Sequence, residues 1–206
     1  LIDTGIGNKQ SDKFFSYYFL HGEESLEKSI NKAGYSLDEV TDVFLTHLHF
    51  DHCGGGVKWQ DRDKSILEPV FKNAHYWSNK SHWDWAIHPN PREKASFLTE
   101  NLKPIEESGQ LKFVSRKQQI TKGVFKGIDV FFADGHTESQ MIPIINYKSS
   151  IIDAVLVMTE KKYGCVVVLD KSKNIKGIIT DGDLRRSIAK IDIQEKATNI
   201  MKSKPI

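Results

Sequence analysis

The chain has 206 residues, 27% of them charged and 39% hydrophobic, and its 29 Lys and Arg against 27 Asp and Glu leave a formal charge of +2. That length allows one ordinary domain or two small ones and rules out a large multidomain enzyme, while the balanced composition argues against a disordered tail or a polybasic nucleic-acid arm. No apolar run reaches the roughly 18 residues of a membrane-spanning helix, and two cysteines, Cys53 and Cys165, are too few for a disulfide framework, which favours reduced thiols in a cytoplasmic protein.

In chain order, Leu1 to Gly5 reads as the end of a buried strand running into a Gly turn. Glu23 to Lys32 is a polar helix with Leu26 and Ile30 at i, i+4, closed by Gly34. Val43-Phe44-Leu45 is a short apolar strand that delivers the chain into Thr46-His47-Leu48-His49-Phe50-Asp51-His52 and then Cys53-Gly54-Gly55-Gly56. Ala74 to Ser78 reads as a strand, and helices are expected over His82 to Ile87 and Glu93 to Asn101. Leu111 to Val114 and Ile128 to Phe132 are strands, the second ending at Asp134-Gly135-His136-Thr137. Strands and helices interleave, so the fold class is α/β.

The second part parses as α-β-β-α. Ser150 to Asp153 is a capping box opening a helix with Ile151, Val155, Met158 and Lys162 on one face, stopped by Gly164. Cys165 to Leu169 and Ile175 to Ile179 are apolar strands, and a helix runs from Thr180 to Lys190. Composition changes at the same place. Residues 146–206 carry 12 Lys and Arg against 7 Asp and Glu, all eight histidines and four tryptophans precede them, and residues 1–145 are left with a charge of −3. Two modules of different composition follow, 1–145 and 146–206. The chain also reads as a fragment at both ends.

His47, His49, Asp51 and His52 place three imidazoles and a carboxylate within six positions. These are ligands that zinc prefers in hydrolytic sites, and alternation in an extended loop aims side chains to one side. With these residues the first module resembles the metallo-β-lactamase superfamily: His47-x-His49-x-Asp51-His52 is similar to its metal signature, Leu1 to Gly5 to its upstream strand, and Gly135-His136-Thr137 to its third-histidine motif. The resemblance implies a partial αββα sandwich and one or two zinc ions. Carried over, His47, His49 and His136 hold one metal, Asp51 and His52 belong to a second, and Asp3 and Thr46 orient ligands. It further implies that zinc-activated water attacks an ester, lactone or related small-molecule bond, with Asp51 as the catalytic carboxylate.

The family also supplies a bridging carboxylate and a final histidine further downstream. Here no histidine follows His136, and Asp153, the carboxylate nearest the expected place, doubles as a helix-capping partner. The expectation is a second metal position that is lost or weakened, with a three-histidine mononuclear site still complete as an open zinc geometry. His21, His75, His82 and His88 read as surface or packing residues, Tyr76, Trp77, Trp83 and Trp85 as core or pocket wall, and Cys53 as a buried small hydrophobe or a metal neighbour. Asp134 either faces the metals or ends its strand.

Residues 144–206 resemble a CBS domain through Gly177-Ile178-Ile179-Thr180-Asp181-Gly182-Asp183-Leu184, and specifically the CBS region of arabinose-5-phosphate isomerases through Thr180 to Arg186. The resemblance implies an adenosine nucleotide at Thr180 and Asp183, although the same two residues form a capping box that needs no ligand. It also implies pairing, hence a homodimer through the CBS module, with no nucleic-acid or membrane partner. The join falls in Met141 to Ser150 without a Gly- or Ser-rich linker. It reads as a regulated enzyme or as two unrelated coding fragments, and the missing linker favours the second. As an alternative to the hydrolase, the whole chain reads as a nucleotide-binding regulatory module behind an inactive hydrolase remnant.

Overall fold

A computed structural model describes residues 1–61, 63–125, 128–146, 150–152, 154–155, 158, 165–170, 175–187, 192 and 194–203. It divides into two compact units, Leu1–Ser115 with Asp134–Gln140, and Arg116–Ala133 with Met141–Ile206. Among the described residues no helix is long and apolar enough to cross a membrane.

The first unit is built on a three-stranded parallel sheet in the order β1 (Asp42–Phe44), β4 (His75–Ser78), β5 (Leu111–Phe113), with a separate antiparallel pair β2 (Val57–Trp59) and β3 (Leu67–Pro69). Register places Val43 beside Tyr76 and Tyr76 beside Leu111. Parallel strands need crossover connections, and helices supply them. These include α4 (Lys80–Ile87), whose N-cap Asn79 accepts from the His82 amide, and α5 (Thr99–Glu107), while the short helices α1 (Asp12–Phe15) and α2 (Leu26–Lys32) precede β1. The core gathers Val43, Leu45, Leu48, Cys53, Tyr76, Trp83, Leu102 and Ile105, all at most 2% exposed. Tyr76 and Trp83 of the aromatic run are therefore core residues.

Two local expectations are corrected. The helix expected over 93–101 is a single 3-10 turn, Lys94–Ser96, and α5 begins only at Thr99. Asn90 caps the amides of Arg92 and Glu93, and Phe97, 6% exposed, takes extended backbone to reach the core, which breaks the helical run. Leu1–Gly5 contributes one parallel bridge, Ile2 to Phe44, before leaving the sheet. Asp3 adopts a left-handed φ of 47°, and the next amide, Thr4 N–H, donates to the His52 carbonyl at 2.7 Å.

The second unit carries a five-stranded sheet in the order β10 (Ile175–Thr180), β9 (Cys165–Leu169), β8 (Gln140–Asn146), β7 (Ile128–Ala133), β6 (Ile120–Phe125). β9 pairs antiparallel with β10 and parallel with β8, and β6 pairs antiparallel with β7. Positions 151, 152, 154, 155 and 158 are helical, and Ile151, Ala154 and Met158 pack with Val166, Val168, Ile179 and Ala197. Asp153, Lys162, Gly164 and residues 188–191 lie outside the described residues. The compact units do not follow the sequence break at residue 145, because β8 pairs along both edges and gathers β6 and β7 into one sheet with β9 and β10.

Candidate metal centre

All three signature histidines leave the sheet just after β1. Leu45 N–H still bonds to Trp77 O, and Thr46 to His49 then form a loop that ends in α3 (Phe50–Cys53), a single helical turn with His49 as its N-cap. The motif is thus extended only through His49, while Asp51 and His52 sit on the turn. The glycine run that follows is required by close approach: a Cβ on Gly54 would stand 2.3 Å from the Ile6 carbonyl oxygen, and one on Gly55 2.2 Å from that of Thr4. Any side chain there would push the metal loop off the segment that carries Asp3.

Asp3 organises the loop. Its Oδ1 accepts from Thr46 N–H at 2.8 Å, and its Oδ2 accepts from the Thr46 hydroxyl and from His52 Nδ1, both at 2.8 Å. The Thr46 proton is committed to Asp3, so at the 3.1 Å contact between Thr46 Oγ1 and His47 Nδ1 the imidazole must donate. His47 is thereby fixed with its lone pair on Nε2. That nitrogen is buried, as is His49 Nε2, and neither has a hydrogen-bond partner among the described residues.

The turn 134–139 brings the third imidazole. Ser139 N–H donates to Asp134 Oδ1 at 2.9 Å, and Gly135 has a φ of 141° that a side chain would strain. Asp134 therefore shapes the turn. Ligand atoms of His47, His49 and His136 all lie within 4.8 Å of one another, the rings of His47 and His49 being 5.0 and 4.9 Å from that of His136. Among the described residues this is the group whose ligand atoms lie close enough together to hold a metal ion.

Burial and the neighbouring imidazoles push the His47 and His49 pKa values below the ordinary histidine range, with burial the larger cause, so both rings are neutral at pH 7 and able to act as ligands. Two buried ring nitrogens without partners are costly unless something satisfies them. A cation bound by neutral imidazoles does so, and the donor set fits zinc.

Asp51 and His52 are also brought together, and the His52 ring lies 3.9 Å from that of His47, but neither belongs to the group of three. Asp51 Oδ2 lies 3.6 Å from His52 Nε2, and the Asp51 side chain is 55% exposed. Burial opposes a charge on His52, but the Asp3 bond and the two carboxylates outweigh it and raise its pKa. Cys53 is fully buried with its thiol toward Leu48 O at 3.2 Å, and burial pushes its pKa up to about 12. It is core, not a ligand.

Two residues near the trio carry no sequence signal. His82 is completely buried: Leu48 N–H donates to its Nε2 at 2.8 Å, and its Nδ1 meets Glu138 O at 2.5 Å. Burial lowers its pKa to about 4. Glu93 Oε2 accepts from Trp85 Nε1 at 3.0 Å and Thr137 Oγ1 at 2.9 Å, and lies 3.8 Å from His49 Nε2. Burial alone would raise the Glu93 pKa, but these donors and His49 hold it below the usual carboxylate range. Neither residue sits in a recognisable motif, since each acts through partners roughly 34 to 56 positions away in the chain.

In the second unit, Thr180 and Asp183 are close and mutually satisfied. Asp183 Oδ2 accepts from Thr180 N–H at 2.9 Å and its hydroxyl at 2.6 Å, and Oδ1 accepts from Arg186 at 2.6 Å with Lys202 Nζ at 3.7 Å. The Thr180 bonds are the main reason its pKa falls to about 2.

Residues 1–142 match the metallo-β-lactamase superfamily model and residues 139–190 the CBS domain model. The chain belongs to the metallo-β-lactamase superfamily, and a CBS domain follows the hydrolase-like part. Among solved structures it is similar to AidC, a dizinc quorum-quenching lactonase in complex with the product N-hexanoyl-L-homoserine, with 27% identity, TM-score 0.50, and 70% of this chain and 47% of that one covered. A probable metal-dependent hydrolase from Staphylococcus aureus shares the fold, with TM-score 0.58 and 18% identity over 87% of this chain and 76% of that one. Among curated proteins, RP505 of Rickettsia prowazekii is 41% identical over 64 residues, 31% of this chain and 20% of its own length. Arabinose 5-phosphate isomerase KdsD of Yersinia pestis is 49% identical over 51 residues, 25% of this chain and 15% of its own length. The chain thus spans a fifth or less of these curated relatives.

Proposed function

We propose that the chain is a zinc-dependent hydrolase acting on a small-molecule lactone or ester, with His47, His49 and His136 as ligands of one metal and Asp51 as the catalytic carboxylate. The observation that carries this is the pair of buried, partnerless Nε2 atoms of His47 and His49 converging with His136. Support for a lactone comes from the likeness to AidC. When bound, zinc supplies a nucleophile at neutral pH and polarises the scissile carbonyl. The residues do the rest. Thr46 and Asp3 fix the His47 tautomer and the direction of its lone pair, and His52 is held by the same carboxylate. In this reading Asp51, more than half exposed and 3.6 Å from His52, takes up and releases the proton.

Asp51 and His52 mark the second metal position, and among the described residues they fall in no group of three whose ligand atoms converge as those of the histidine trio do. A single tight zinc is therefore the proposed stoichiometry. Metal analysis of purified protein, joined to hydrolysis of an N-acyl homoserine lactone and an aryl ester, tests the reading. One zinc per chain with metal-dependent turnover is expected; a metal-free protein after zinc reconstitution would sink it.

The CBS match supports a second reading for the C-terminal module, an adenosine nucleotide at Thr180 and Asp183. A ribose hydroxyl reaching Asp183 would have to displace Arg186, so binding is proposed to be weak. Thermal stabilisation by AMP or ATP measures it.

A further inference from the structure

We infer that His82 and Glu93 are positioning residues of the metal centre, a clamp that ties the loop bearing His47 and His49 to the turn bearing His136. The inference rests on the metal reading above. Leu48 lies between the two ligands of the first loop, and its N–H is held by His82 Nε2 at 2.8 Å. The other ring nitrogen of His82 reaches Glu138 O, two residues past His136, at 2.5 Å. One imidazole thus joins both ligand-bearing segments through their backbones.

Donor logic fixes the form of that imidazole. An amide N–H can only donate, so Nε2 is the acceptor and Nδ1 carries the proton to the Glu138 carbonyl. Both nitrogens are then used, which leaves no lone pair for a metal and excludes His82 as a ligand. The same end of α4 adds a third tie, because Asn79 Nδ2 donates to Ser139 O at 2.8 Å while its Oδ1 accepts from the His82 amide at 3.0 Å.

Glu93 makes the corresponding link at the side-chain level. Its Oε2 accepts from Thr137, next to His136, and faces His49 Nε2 at 3.8 Å, with Trp85 fixing the carboxylate from behind. A negative charge so placed favours a cation on His49 and holds the two loops at one spacing. A site whose ligands are held this way loses little conformational freedom on binding metal, and groups of this kind commonly set metal affinity by roughly 10- to 100-fold. The clamp also accounts for a three-histidine site that is complete without a second metal's ligands.

The test is zinc affinity by competition with a chromophoric chelator, the visible spectrum of the cobalt-substituted protein, and the melting temperature of the metal-free protein. The set is wild type, His47→Ala, His82→Phe, His82→Gln and Glu93→Gln. His82→Phe keeps a ring and removes both bonds, so zinc affinity should fall roughly 10- to 100-fold with shifted, weakened cobalt bands. His82→Gln retains an oxygen to accept from Leu48 N–H and should recover part of the affinity. Glu93→Gln keeps the Trp85 and Thr137 bonds, loses the charge, and should weaken zinc by a smaller factor.

If His82→Phe folds and binds zinc with wild-type affinity and an unchanged cobalt spectrum, the clamp is overturned while the metal site stands. If it does not fold, wild-type zinc affinity in both His82→Gln and Glu93→Gln overturns it. If wild type binds no zinc, or binds no better than His47→Ala, the metal reading falls and the clamp with it.

Discussion

The metal loop and the CBS module each hold a polar cluster that the sequence marks as a ligand site, and the two are in opposite states. In the first, Asp3, Thr46 and His82 satisfy the surrounding groups and leave the Nε2 atoms of His47 and His49 buried and bare. In the second, both oxygens of Asp183 are already taken by Thr180 and Arg186. A buried polar atom left without a partner after every neighbour is accounted for points to a missing ligand; a saturated one explains itself as structure. By that measure the chemistry lies in the first unit.

The sharpest way to break the comparison is a pair of single substitutions. His47→Ala removes one of three ligands and should reduce zinc content from about one per chain to none, since two imidazoles make a poor site. Thr180→Val should leave zinc content at the wild-type level. Metal analysis by mass spectrometry decides both, and a wild-type stoichiometry in His47→Ala would place the metal elsewhere.

Acid is the next lever, because the two clusters both lose stability as pH falls but do so in different ranges. His47, His49 and His82 all have folded-state pKa values below the ordinary 6.5, His82 about 4. The unfolded chain then binds more protons than the folded one between those values, so stability rises with pH across the window and is lost as pH falls from about 6.5 to about 4. For His82 alone the full swing is about 3 kcal/mol. Asp183, at about 2, contributes stability that persists to far lower pH and is lost only below the ordinary carboxylate range. Urea midpoints of metal-free protein at pH 7, 6, 5 and 4 should therefore fall steadily; a flat profile would show that these histidines are not buried neutral.

How far the sequence shows this site depends on the kind of contact. His47 and His49 are legible because metal-type residues fall at short spacings just after a strand, and His136, Asp3 and Thr46 only through the resemblance of their separate segments to the family. His82 and Glu93 are not, since their partners are backbone groups and side chains brought close only by α4 and the 134–139 turn. The shared strand was half legible: Ile142 to Ile145 suits the hydrolase and the CBS unit equally, and in the structure β8 pairs on both sides. A one-dimensional reading places a boundary between families there, where the two family matches also meet, while pairing along both edges of β8 makes the compact units divide elsewhere.

A smaller effect tests the saturated cluster. Asp183→Ala removes the acceptor for Thr180 N–H at the start of the helix Asp181–Ser187 and the partner of Arg186. Loss of such a cap costs about 1 kcal/mol, which should lower the melting temperature by a few degrees without changing zinc affinity. If the substitution instead abolished stabilisation by AMP or ATP at unchanged basal stability, Asp183 would be a nucleotide contact and the structural account of it would fail.

The two thiols report on the same contrast most finely. Cys165 is exposed in the sheet unit, whereas Cys53 is fully buried one residue after His52, its pKa held at about 12 by burial and its thiol turned to Leu48 O. A thiol reagent at pH 8 should label Cys165 at once and Cys53 only when the metal loop opens. If zinc binds the closed loop alone, as proposed, adding it should slow Cys53 labelling in proportion to its saturation and leave the Cys165 rate unchanged. Equal slowing of both thiols would mean that zinc stabilises the whole chain through some other route. No slowing at Cys53 would mean that the loop opens without losing the metal, and that His47 and His49 are not the groups that hold it.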